Sequence, residues 1–378
     1  MATLRNILRI MVLSLTLEGP LEAMDAPNLQ QEKAQENDQS SAEDIKIAEL
    51  YNNKDFNAIT VYAPQLVNSL APLILKDKRI PLSKESLFMI GHAYMMAGKN
   101  LDETKKKTWE GLHLFSKLQG LLPNAPGIIY AWLGVFHHTG GDSHAYEKFE
   151  RAFALDPDLG SYFHLTAAMD YIKNQQYAKA INQYDIALEK LEKESAEPIT
   201  NMKTDTWLLY EGKALACFKL GRWDDTITNY TLAMNAKSNH NLQYPGNYIN
   251  LAGAYLQKGM DKDSLKWFEV ALQKIHEKSA LNYFLAAEPA MNLEEWEKAA
   301  NFYERGFLIA QQQGQQLTAE NYSNAGFVYM KLQDWQKAYN NLDIALKLNP
   351  RLPTRIHDRR DEALAHLLDT QFNSMSLN

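Results

Sequence analysis

The chain has one cysteine, Cys217, so no internal disulfide can form. That residue lies among Leu215, Ala216 and Phe218, where a small thiol reads as a core side chain rather than a reactive one. Glycine-rich phosphate loops, His-Glu-x-x-His metal motifs and Ser-centred nucleophile elbows are all missing. Excess positive charge is missing too. With 39 Lys and Arg against 46 Asp and Glu, the net charge of −7 argues against a general nucleic-acid binder. No apolar run reads as a membrane span, so no stable membrane insertion of the mature chain is expected.

Few constellations remain that could carry chemistry. His137-His138 with Asp142 and His144 is the one cluster that invites a metal, but neighbouring helix residues point in different directions and do not converge on one ion. Surface or groove histidines are the expectation, with no metal and no cofactor. Glu294-Glu295, Asp224-Asp225 and the glutamates between 189 and 194 read as solvating residues on outer faces or turns. The basic cluster Arg355, Arg359 and Arg360 is balanced by Asp358, Asp361 and Glu362; it reads as a solvated helix face, with phosphate binding as the alternative.

The sequence does contain repetition. Six stretches of 34 residues share one pattern, clearest at 319–352, where Tyr322, Ala325-Gly326, Tyr329, Trp335, Ala338, Leu342 and Ala345 precede Asn349-Pro350. At the same offsets 161–194 supplies His164, Ala167-Ala168, Tyr171, Tyr177, Ala180, Tyr184 and Ala187. Copies follow at 126–159, 207–240, 245–278 and 280–313. Each unit has an apolar set at helical spacing, a Gly or charged turn, and a second apolar set ending on Ala. The spacing predicts a helical hairpin, with small residues where its helices approach. Tyr184, Tyr230, Phe268 and Tyr303 should fill the space between neighbours. One hairpin cannot bury its own apolar face, so stability should come from stacking.

These residues resemble the tetratricopeptide repeat over about 84–352. The resemblance implies an all-α fold: a right-handed superhelical solenoid of antiparallel helix hairpins with a C-terminal capping helix at 354–370. Two regions depart from the pattern. Residues 84–125 have a good first helix, but Lys105-Lys106-Lys107 falls where Ala and an aromatic belong, so 101–122 reads as an elongated or irregular second helix. Further upstream, 45–83 reads as a degenerate helical repeat with Leu50, Phe56 and Tyr62 in its core. Pro289 should kink the first helix of the sixth unit.

The N-terminus bears on compartment. Arg5 and Arg9 precede an apolar run ending at Leu17, and Gly19-Pro20 breaks the helix before Ala23. That order resembles a secretory signal peptide over 1–23 and implies export to the periplasm or beyond the cell. The alternative is a cytoplasmic chain whose amphipathic first helix packs on the array. Residues 24–44, rich in Gln, Glu, Asn and Ser, read as a disordered leader.

In the family, partner peptides lie along the inner face lined by the first helix of each hairpin. Carried onto this chain, those offsets give Phe88, His92 and Met95, then Tyr130 and His137, then Leu165, Met169 and Ile172. They continue through Glu211, Leu215 and Phe218, Ile249, Asn250 and Leu256, and Phe284, Glu288 and Met291. Ser323, Asn324, Phe327 and Met330 complete the set. The family's carboxylate clamp needs paired Lys and Asn; Tyr130, Gly134, Leu165 and Met169 stand at the matching positions instead. The expectation is a non-enzymatic scaffold or adaptor that holds a protein partner, a peptide or amphipathic helix, in an apolar groove. The alternatives are a regulatory or targeting subunit of a separate enzyme, or an enzyme or small-ligand binder without a recognisable motif.

Overall fold

The computed structural model describes residues 41–375 apart from 99, 123, 143–144, 195–204, 238 and 277–278. The candidate signal segment 1–23, leader residues 24–40 and His144 lie outside the described residues. Seventeen α-helices and no strand occur among the described residues. They fall into two compact units, one comprising 41–220 with 229–240, the other 221–228 with 241–375.

The N-terminal unit runs α1 (Ala42–Asn52), α2 (Phe56–Asp77), α3 (Lys84–Met96), α4 (Leu101–Leu121), α5 (Gly127–Thr139), α6 (Ala145–Leu155), α7 (Ser161–Lys173), α8 (Tyr177–Glu194) and α9 (Thr206–Lys219). Helix α10 (Trp223–Ala236) crosses the division. The C-terminal unit holds α11 (Gly246–Gln257), α12 (Asp261–Lys274), α13 (Ala280–Asn292), α14 (Trp296–Gln312), α15 (Ala319–Lys331), α16 (Trp335–Leu348) and the last helix, α17 (Thr354–Met375). Within each unit successive helices pair as hairpins, α5 with α6, α7 with α8, α13 with α14, α15 with α16, and each hairpin packs on the next.

Local chemistry explains the hairpin turns. The residue that must turn left-handed is Gly259 at one turn but Gln175, Glu294 and Gln333 at others, with φ of 58°, 60° and 58° for these three. The second helix then begins within two residues, on Tyr177, Trp296 and Trp335. Close approach of the helices is set by residues without bulk. A Cβ on Gly91 would lie 2.2 Å from the Trp132 ring, and one on Gly326 would lie 2.6 Å from Leu342 Cγ.

A polar strut joins adjacent hairpins at corresponding places in the two units. In the N-terminal unit the Tyr171 hydroxyl donates to Glu150 at 2.9 Å and Lys179 pairs with the same carboxylate at 2.8 Å. In the C-terminal unit Tyr329 donates to Glu304 at 3.2 Å and Lys337 pairs with it at 2.8 Å. The tyrosine and lysine belong to the later hairpin and the glutamate to the earlier one, so each strut fixes the register of two neighbours.

Two sequence expectations need correction. The leader does not extend to residue 44: Ser41 caps α1, accepting from the Asp44 amide at 3.1 Å, while Asp44 accepts from Ser41 N at 3.2 Å. Asp44 also accepts from the Ser83 amide at 3.0 Å, tying the start of α1 to the start of α3. The capping box and this bond order a segment whose composition alone reads as disordered. The upstream repeat also begins before residue 45, at Ala42. Helices α1 and α2 form a full hairpin that buries Ile47, Tyr51, Ile59, Ala63, Leu66, Val67, Leu70 and Ile74. Helix α2 is long and apolar enough to cross a membrane, and its inward stripe is buried in the unit's core. It contains Pro64 and Pro72, as α13 contains Pro289, and each helix continues through them.

Candidate functional site

The inner-face offsets separate into two groups by burial. Phe88, His92, Met95, Leu165, Glu211, Phe218, Asn250, Phe284 and Ser323 are buried, as is Leu256. Tyr130, His137, Met169, Ile172, Leu215, Ile249, Glu288, Met291, Asn324, Phe327 and Met330 are half-buried and keep surface available.

In the N-terminal unit His92 is covered by the α1–α2 hairpin. Tyr51 brings its hydroxyl 2.5 Å from His92 Nδ1, and the Phe56 ring centroid lies 5.8 Å from that of His92. Phe88 meets Trp132 at 5.7 Å and Phe163 at 6.0 Å. His92 is thus part of an aromatic core, and burial pushes its pKa down to about 4. Its Nε2 has no hydrogen-bond partner, nor do Trp132 Nε1 and Thr108 Oγ1. Further along, α7 keeps Ala167, Ala168 and Tyr171 inside and leaves Met169 and Ile172 half-exposed.

The histidine pair divides its partners. His137 Nδ1 lies 2.9 Å from Asp142, while His138 Nδ1 lies 3.0 Å from Asp170. Asp170 is a wholly buried carboxylate that also accepts from the Tyr146 amide at 2.8 Å and from Asn174 Nδ2 at 3.2 Å. It ties the end of α5, the start of α6 and the end of α7 together. The sequence signal for it was a lone Asp within the run Ala168, Met169, Tyr171, Ile172. Among the described residues no three His, Cys, Asp or Glu side chains are placed to share a metal ion.

A shallow depression of about 550 Å³ lies between α6 and α8, lined by Phe153, Tyr171, Lys179, Asn182 and Gln183 with Glu150 at its edge. Phe153 stacks on His164 at 4.1 Å, and His164 Nδ1 lies 2.7 Å from Gln183 Oε1. Burial pushes His164 down to about 4. No nucleophile and general base are paired there.

In the C-terminal unit Phe284 is fixed between Tyr303 and Phe307, with centroids 5.8 and 5.6 Å away. Tyr303 donates to Met291 Sδ at 3.6 Å. Asn250 donates to Asn247 Oδ1 at 3.2 Å, so its amide is engaged within its own helix. Phe327 stands edge-to-face against Trp296 at 5.8 Å. The line Ile249, Met291, Asn324, Phe327 and Met330 retains exposed surface on the first helices.

No protein-family model matches this chain, and no protein of curated function matches it. Solved structures with a similar arrangement are tetratricopeptide-repeat proteins. The C-terminal part of one from Cytophaga hutchinsonii is 17% identical, covering 68% of this chain and 97% of its own, with a TM-score of 0.47. YrrB, described as a repeat protein with an unusual peptide-binding site, is 16% identical over 58% of this chain and 99% of its own, at a TM-score of 0.45. PilF of Pseudomonas aeruginosa is 13% identical over 66% and 96%, at 0.42. These similarities are of architecture and carry no inference about what this chain binds.

Proposed function

We propose that the chain is a non-enzymatic scaffold that holds a protein partner, a peptide or amphipathic helix, on the inner faces of its hairpins. The observation that carries the reading is the apolar surface left half-exposed at first-helix positions: Met169 and Ile172 in one unit, Ile249, Met291, Phe327 and Met330 in the other. Side chains on the same helices that face the hairpin partner are buried, while these residues rest one side on the core and keep the other open. Methionines adapt their shape to apolar ligands, and an amphipathic helix presents anchors at matching spacing.

Affinity capture from the native cell tests this, with the full chain as bait and Met169→Glu/Met291→Glu as control. A partner held by the parent chain and lost with the double variant is expected, with both chains melting alike by circular dichroism. Equal recovery by the two overturns the inner-face reading. Phe284 is unsuitable for this test because its ring is locked in the core. We also read residues 1–23 as an export signal. N-terminal sequencing from the native cell should find a chain starting at Met24, and a chain starting at Met1 overturns export.

A further inference from the structure

Helix α17 puts positive charge where its own chain gives little compensation. Its first turn contains no acidic residue, yet Arg355 stands there and Arg359 lies one turn on, along the same face. The positive end of the helix dipole disfavours cations in this turn, and like charges at this spacing repel. Burial, with Arg355 nearby, holds the Arg359 guanidinium below its ordinary pKa.

Arg359 is not on the solvated face that composition suggested. Its guanidinium carbon lies 4.2 Å from the centroid of Phe327, one of the half-buried inner residues of α15. Lys331 Nζ is 5.5 Å from the same ring and 5.6 Å from Trp296. One ring therefore holds two cations within about a Debye length, ~10 Å, of each other. Among the described residues, no carboxylate lies within 4.0 Å ion-pair distance of Arg355, Arg359 or Lys331. Asp361 pairs with Arg360 at 2.6 Å, Glu295 with Lys298 at 2.7 Å and Asp334 with Lys337 at 3.7 Å, while Asp358 on α17 is exposed. Glu362 opposes the lowering of the Arg359 pKa, but burial and Arg355 outweigh it. A guanidinium carries five N–H donors in a fork that suits bidentate recognition of a carboxylate, and contact with a ring engages none of them in an ion pair.

We propose that Arg355, Arg359 and Lys331 form an anion-binding corner at Phe327 and Trp296, which seats a carboxylate-bearing segment of a peptide partner. The inference rests on the scaffold reading above and specifies its chemistry: the part of the partner that meets α15 and α17 is acidic. It differs from a Lys–Asn carboxylate clamp because two of its three donors come from α17, and Arg359 and Lys331 lie against one aromatic ring.

The test is fluorescence polarisation of fluorescein-labelled hexaglutamate with the full chain at low salt, with hexalysine as the charge control. Hexaglutamate should bind and hexalysine should not. Arg355→Gln/Arg359→Gln should weaken binding tenfold or more, Lys331→Gln about threefold, and Lys262→Gln on the exposed face of α12 should leave it unchanged, all at matched melting temperature. Failure of hexaglutamate to bind, equal affinity for parent and double-arginine variant, or an equal loss with Lys262→Gln overturns the corner. Inorganic phosphate displacing the peptide better than chloride at the same ionic strength would make it a simple anion site and overturn peptide recognition. Should hexaglutamate ignore the arginines while partner capture still depends on Met169 and Met291, the scaffold reading stands and only this inference falls.

Discussion

The N-terminal unit gathers its largest rings around one tryptophan, where the C-terminal unit sets smaller ring groups among alanines. Trp132, wholly buried, has Phe88, Phe115, Phe136, Tyr162 and Phe163 within 6.4 Å between centroids. In the C-terminal unit, Ala286, Ala287, Ala290, Ala299, Ala325, Ala338 and Ala345 bring the helices together around Phe284, Tyr303 and Tyr329. The ring-built core also leaves Trp132 Nε1, His92 Nε2 and Thr108 Oγ1 buried without partners. Dense aromatic packing offsets that desolvation cost but makes the unit depend on a few bulky residues. The alanine-built core spreads its stability over many small interfaces.

Trp132→Ala should therefore have the largest effect, about 3–5 kcal/mol, as expected for removing a buried Trp. Hydrogen exchange should show protection lost across α3–α7 and kept in α13–α16, because a repeat array is stabilised by nearest neighbours. Simultaneous loss in all helices would show that the units unfold as one block, and the contrast between them would have no energetic meaning.

Acid is the next way to separate them. Burial lowers His92 and His164 from 6.5 to about 4 in the folded chain. Between those values the unfolded chain binds protons that the folded chain does not. Stability is full above pH 6.5 and falls as the pH drops towards 4, by up to about 3 kcal/mol for each histidine. The C-terminal unit's described histidines are exposed, His276 and His366, or half-buried, His357, so the loss should fall on the N-terminal unit. Urea midpoints at pH 7 and pH 4.5 measure it, and His92→Gln should cut the difference by about half. An unchanged slope in that variant would mean that His92 is not the titrating group.

The two units were also unequally legible in sequence. The C-terminal hairpins followed from Tyr322, Ala325, Gly326, Tyr329 and Ala338, since small residues at fixed offsets report close helix approach directly. In the N-terminal unit the same approach is made by Gly91 against Trp132, a pairing between different hairpins that no single 34-residue window contains. Ser41 and Asp44 were read with a polar leader because their hydrogen bonds, one of them to Ser83, are not visible in composition. The inner-face positions came from offsets alone, and offsets cannot show that Tyr51 and Phe56 cover His92 or that Trp132 and Phe163 cover Phe88. Arg359 was hidden for the opposite reason. Its acidic neighbours along the chain suggested a balanced solvated face, while its nearest ring, Phe327, lies 32 residues earlier.

Glycine substitutions sharpen the contrast at a smaller scale. Gly91→Ala would drive a methyl to 2.2 Å from the rigid Trp132 ring and should cost the upper part of the ~1–3 kcal/mol range for overpacking. Gly326→Ala meets Leu342 Cγ at 2.6 Å, which only a change of χ1 or a small helix shift relieves, an easier move than displacing the Trp132 ring, so its cost should fall lower in the ~1–3 kcal/mol range. Denaturant midpoints give the order, and a larger loss for Gly326→Ala would reverse the account of which core is the less forgiving.

The smallest effect should be the same in both units. Glu150 and Glu304 each join a tyrosine and a lysine of the next hairpin, and their side chains are 47% and 51% exposed. The lysine hydrogen bond is the main cause holding each carboxyl below its ordinary pKa. At that exposure water screens the pair, so replacing either carboxylate by Gln should cost about 0.2–1 kcal/mol, with the tyrosine keeping an acceptor. The loss should shrink in 1 M salt, where the Debye length is about 3 Å. Equal small losses for Glu150→Gln and Glu304→Gln would show that the struts set register while the cores set stability. A loss several-fold larger in one unit would mean that its strut carries packing as well as charge, and the difference between the units would then extend to the joints between hairpins.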